Sequence, residues 1–97
     1  MPDYVTLVKY TSEGLAAFGD LADRLKRVEE GFKAAGGKLH SYHLTMGPYD
    51  AVVVGEMPDD ESVARMAISI GAEGRIQTTT MRAFTRKEAE KIAGDLG

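Results

Sequence analysis

Three polar side chains near the middle of the chain, His43, Thr45 and Asp50, have the types and spacing to act together. Gly47-Pro48 lies between them as a turn dipeptide, and Pro cannot donate to a β-ladder. The flanking runs 38–46 and 49–56 are therefore expected to be two strands of a hairpin. A tight turn sets Thr45 opposite Asp50 and His43 opposite Val52. His43 and Asp50 then become diagonal neighbours on one sheet face, about 7–8 Å apart at the backbone. In a closed pocket, Asp50 would hold one imidazole tautomer of His43 and leave the other nitrogen as a base or hydrogen-bond donor. A plainer reading of the same residues has Asp50 accepting backbone N–H groups of the turn and His43 as an ordinary sheet histidine. Both readings stay open at this level.

Other candidates are weaker. His40 and His43 resemble a metal pair, but residues three apart on a strand point to opposite faces and cannot share an ion without a bulge, so no metal site is expected. Asp59-Asp60-Glu61 lacks the alternating ligands and central glycine of a calcium loop and suits a solvated helix start. Arg82, near the end of the last strand, is a candidate clamp for an anionic ligand, whereas Lys9 reads as surface charge. No serine or threonine has a nucleophile-elbow or phosphate-loop context, and Gly71-Ala-Glu-Gly74 follows a helix, unlike a dinucleotide fingerprint. No cofactor is expected.

The elements that must position these residues follow from the rest of the sequence. Its 97 residues, net charge of −3 and 28% charged residues describe an ordinary soluble composition and one domain, spanning 1–97, with a single core. No basic cluster exists to neutralise a phosphate backbone, so nucleic acid is not an expected partner. Cysteine is absent, which removes disulfides, thiolate metal sites and a Cys nucleophile. No apolar run is longer than that of Ala51-Val52-Val53-Val54, too short to span a bilayer, and a cytoplasmic location is expected.

Residues 3–10 are β-branched and aromatic, as a strand requires. Thr11 and Ser12 supply capping oxygens for a helical segment running to about Ala35, which Gly19-Asp20 divides into a short and a longer piece. Gly36-Gly37 ends it. After the hairpin, Pro58-Asp59-Asp60 opens a second helix that stops by Gly71 and Gly74. Residues 75–83 form a last strand, and Thr85-Arg-Lys-Glu88 is a capping box for a C-terminal helix. The order β-α-β-β-α-β with a helical tail is that of an α+β, ferredoxin-like sandwich.

In such a sandwich the helices cover one sheet face only. The expected hairpin register places Leu39, Ser41, His43, Thr45, Asp50, Val52 and Val54 on one face, and Tyr42, Leu44, Met46, Tyr49, Ala51 and Val53 on the other. Both faces carry apolar residues. The face without helices is therefore expected to bury itself against a second copy, giving a homodimer.

The segments Tyr4–Tyr10, Leu44-Thr-Met-Gly-Pro-Tyr-Asp50 and Thr78-Thr-Thr-Met-Arg-Ala-Phe84, with the Pro58-Asp59-Asp60 helix start, together resemble the GYD domain family over nearly the whole chain. The resemblance implies a ferredoxin-like fold that pairs into a dimeric α/β barrel, with no established catalytic residue to carry over. The hairpin is also distantly similar to the effector-binding domain of leucine-responsive transcription regulators, where the matching turn helps form an amino-acid site between subunits. That similarity implies a role for Gly47, Tyr49 and Asp50. With no helix-turn-helix segment ahead of this domain, direct control of DNA is not expected. The preferred expectation is a homodimeric module that binds a small molecule between two sheets. Tyr49 and Asp50 would stand at the mouth of that pocket, and His43 and Thr45 would be polar contacts. The alternatives are a small cofactor-independent monooxygenase- or isomerase-like enzyme with His43 as base, and a purely structural interaction unit.

Overall fold

The computed structural model describes residues 1–97. In chain order it contains β1 (Asp3–Tyr10), α1 (Ser12–Ala16), a 3-10 turn (Phe18–Asp20), α2 (Leu21–Ala34), β2 (Lys38–Leu44), β3 (Ala51–Glu56), α3 (Asp60–Gly71), β4 (Ile76–Ala83) and α4 (Arg86–Asp95). The four strands form one antiparallel sheet in the order β2-β3-β1-β4, so this is a ferredoxin-like α+β fold.

The helix boundaries are set by the side chains that suggest them in sequence. Thr11 Oγ1 accepts the backbone N–H of Gly14 at 3.1 Å, and Asp59 Oδ1 accepts that of Ser62 at 2.8 Å. Thr85 and Glu88 exchange both bonds of a capping box, at 2.9 and 3.1 Å. The break at Gly19-Asp20 is the 3-10 turn between α1 and α2. Gly36, at φ 87°, closes α2 in a conformation that L side chains rarely adopt.

Helices α2 and α3 cover the face formed by Tyr4, Thr6, Val8 and Tyr10 of β1 with their ladder neighbours Ala51, Val53 and Gly55 of β3 and Ile76, Thr78 and Thr80 of β4. Gly55 is needed there, because a Cβ at that position would lie 2.5 Å from the ring of Phe32. Tyr4, Val8, Ala51 and Met57 are the buried apolar side chains. The other face carries Val5, Leu7, Val52, Val54 and Met81, with Asp3 and Glu56 at one end and Lys9, His43, Gln77 and Thr79 toward the other. No helix covers it.

The hairpin register is as expected from Ser41 onward: Ser41 pairs with Val54, Tyr42 with Val53, and His43 with Val52. Thr45 N–H donates to the carbonyl of Asp50 at 2.8 Å. Before Ser41 the alternation fails. Leu39 pairs with Gly55, which leaves His40 as the extra residue of a β-bulge. Leu39 therefore turns to the helix-covered side with Tyr42, away from Ser41 and His43, where uninterrupted alternation had placed it. The bulge also removes the reason for setting His40 and His43 on opposite faces.

Candidate functional site

The Gly47–Asp50 turn is a latch between the hairpin and β1. Gly47 takes φ 118°, which only glycine adopts readily. Thr45 Oγ1 donates to the Tyr49 carbonyl at 2.7 Å, and Lys9 Nζ donates to the Pro48 carbonyl at 3.3 Å. The N–H of Asp50 donates to the Val8 carbonyl at 2.8 Å, while its Oδ2 accepts the N–H of Tyr10 at 2.9 Å. The last ladder pair between these strands is Val8 with Ala51, so the carboxylate satisfies a donor just beyond the regular pairing.

The turn thus gathers Thr45, Gly47, Tyr49 and Asp50. Tyr49 is 38% exposed. His43 stands nearby on the bare face, exposed, and no hydrogen bond joins it to Asp50. Arg82 is elsewhere. It pairs with Tyr4 near the opposite end of the sheet, where its guanidinium lies 4.4 Å from the centre of the Phe84 ring and donates to the Ala83 carbonyl.

A cavity of about 860 Å³ lies between the covered face and helices α2 and α3. Its helical walls carry Leu25, Val28, Phe32, Val63, Met66 and Ile70 interspersed with Arg27, Arg65 and Glu73. The sheet side carries hydroxyls. Tyr10 and Tyr42 share a hydrogen bond of 2.9 Å, and Thr6 and Thr80 one of 3.1 Å. Tyr4 donates to Asp60 Oδ1 at 2.5 Å, and this bond to the carboxylate, with burial next, raises its phenol to about 12. Burial, then the bond to Tyr10, pushes the Tyr42 phenol well above its usual range. Both groups are therefore neutral hydrogen-bonding groups at physiological pH.

Arg24 also lines the cavity, and its buried Nη1 has no hydrogen-bond partner. The expected site residues His43, Thr45, Gly47, Tyr49, Asp50 and Arg82 are not in the cavity wall. Arg24 and the tyrosines Tyr4, Tyr10 and Tyr42 were not singled out as site residues from the sequence. Only Arg24 left a trace there: it sits three residues after Leu21 and four before Val28, a charge set into an apolar helical stripe.

The family model for the GYD domain matches residues 4–93, and so spans every strand and the hairpin latch. The chain belongs to the GYD domain family. This GYD domain is 29% identical over 85 residues to the glutamine synthetase and cystathionine beta-lyase binding protein of Thermus thermophilus. That alignment covers 87% of this chain and 90% of the relative. Its fold is similar to that of the hypothetical protein PHS023 from Pyrococcus horikoshii, a crystal structure, with a TM-score of 0.54 at 20% identity over 89% of this chain and 93% of that one. Within the GYD domain, the residues Gly47, Tyr49 and Asp50 build the turn that ties β1 to the hairpin.

Proposed function

We propose that this GYD domain is a self-associating binding module that pairs through its bare sheet face and docks on metabolic enzymes. The observation that carries this reading is the apolar surface itself. Val5, Leu7, Val52, Val54 and Met81 are ladder neighbours on three adjacent strands, with no helix over them, and Met81 is 45% exposed. Contiguous apolar surface of this kind is characteristic of protein interfaces. Helix α4 adds a second docking element, since every residue in it is exposed and Ala89, Ile92, Ala93 and Leu96 share one side. The name of the Thermus relative supports enzymes as partners, with glutamine synthetase and cystathionine beta-lyase the first to test. Such partners are consistent with a cytoplasmic protein, and no helix is long and apolar enough to cross a membrane.

Light scattering during size exclusion, followed by surface-plasmon binding to the two enzymes, tests the reading. The parent chain is expected to run as a dimer and to retain at least one enzyme. Val54→Asp is expected to run as a monomer. A parent chain that stays monomeric at micromolar concentration and retains neither enzyme would overturn the proposal.

The cavity favours a second reading, in which the same domain takes up a small amphipathic anion. Arg24 Nη1 is buried without a partner, and Phe32 and Met66 line the same cavity, so a carboxylate at Arg24 with a hydrocarbon or ring body along those two side chains satisfies both. In this reading the small-molecule site lies under the helices, on the side of the sheet opposite His43. Native mass spectrometry of the parent and Arg24→Met proteins tests it: a bound anion present only in the parent supports this reading, and none in either opposes it.

A further inference from the structure

Asp3 and Glu56 are direct partners across β1 and β3, so two carboxylates face each other on the bare side of the sheet. Like charges in that relation destabilise a sheet unless positive charge stands beside them. The bulge in β2 brings His40 to the pair. Its Nε2 lies 3.9 Å from Asp3 Oδ1 and 3.7 Å from Glu56 Oε2, and ligand atoms of all three residues lie within 4.8 Å of one another.

These separations are longer than hydrogen bonds, which close to about 2.7–3.2 Å. They come close to the spacing of ligands around a cation. Bonds of roughly 2.0–2.2 Å to nitrogen and oxygen set tetrahedral edges of about 3.3–3.6 Å. We propose that Asp3, His40 and Glu56 form a binding site for a divalent cation of the zinc class, with water in the fourth position. An imidazole among the ligands selects against magnesium and calcium, which take oxygen sets. Two carboxylates and one divalent ion sum to no net charge, which removes the repulsion across the ladder. The three residues stand on the consecutive strands β2, β3 and β1 of one sheet, so the ligands start from fixed positions. Side-chain exposures of 23%, 37% and 26% for Asp3, His40 and Glu56 leave the ion a path from solvent.

Calorimetric titration of the full chain with Zn²⁺ alone, in a buffer that does not chelate, is expected to give one ion per chain with micromolar or tighter affinity. Co²⁺ is expected to show the intense visible absorption of tetrahedral coordination. His40→Ala and Glu56→Gln are each expected to lower Zn²⁺ affinity at least about tenfold, and His43→Ala, on the same face outside the cluster, to leave it unchanged. Glu56→Gln relieves carboxylate repulsion, so its loss of affinity is separable from misfolding, and circular dichroism of each variant checks this. Absence of Zn²⁺ binding, or parental affinity in both His40→Ala and Glu56→Gln, would overturn the assignment.

Discussion

The carboxylate of Asp50 accepts the backbone N–H of Tyr10 at 2.9 Å, tying the end of β1 to a hairpin turn forty residues away in sequence. The aspartate of this turn therefore holds up the sheet. Asp50→Ala leaves the half-buried Tyr10 N–H without a partner and is expected to lower unfolding stability by about 1–3 kcal/mol. Asp50→Asn keeps an acceptor oxygen and is expected to lose less. Urea unfolding of the three proteins measures the difference.

Tyr4 makes the shortest tyrosine bond in the protein, 2.5 Å to Asp60 at the start of α3, and its phenol is raised from 10.0 to about 12. A group whose folded value lies above its unfolded value contributes stability that is complete below the unfolded value. Here that contribution is present below pH 10 and is lost as pH rises toward about 12. Tyr4→Phe is expected to cost about 1–2 kcal/mol at neutral pH. The gap between parent and variant is expected to narrow across the alkaline interval. Denaturant midpoints taken through that interval check it, and a gap that widens would contradict the assignment.

Gly14 is buried against the segment leading into β4, and a Cβ on it would stand 2.0 Å from the carbonyl oxygen of Arg75. The obstacle is backbone, so it cannot rotate aside. Gly14→Ala is expected to destabilise by about 1–3 kcal/mol. Gly19 has nothing within 4 Å of an added Cβ, so Gly19→Ala is the control expected to be nearly neutral. Thermal melts of both variants provide the comparison.

Arg24 holds a buried Nη1 with no partner at the wall of the cavity under α2 and α3. A polar group left in that state costs more than a shape-matched apolar one. Without ligand, Arg24→Met is expected to be more stable than the parent by about 1 kcal/mol. Denaturant unfolding of protein freed of bound small molecules by refolding measures it, and a clear loss of stability would show that Arg24 is satisfied in solution.

The order of elements was readable from residue types because its signals are local. Thr11, Asp59 and the Thr85–Glu88 pair cap helices through bonds to residues three positions away, and those bonds are present. Gly47-Pro48 set the register between Thr45 and Asp50 in the same way, through a short turn that leaves few alternatives. A matching argument could not reach the bulge at His40. An extra residue in β2 is tolerated or excluded by how Leu39 fits over Gly55 and by the carboxylates that β1 and β3 bring alongside, which belong to segments distant in sequence. Alternation assumes an uninterrupted ladder, and Leu39 changed sides when that assumption failed.

Sequence alone thus determined the α+β order, the helix ends and the hairpin register from Ser41 to the turn, because each depends on contacts within a few residues. Tertiary structure decided which sheet face α2 and α3 cover, that Asp50 bonds to Tyr10 with no bond to His43, that Arg24 borders a cavity, and that His40 meets Asp3 and Glu56. Those relations join segments tens of residues apart. Their geometry is set by how strands and helices stack, which no local spacing encodes.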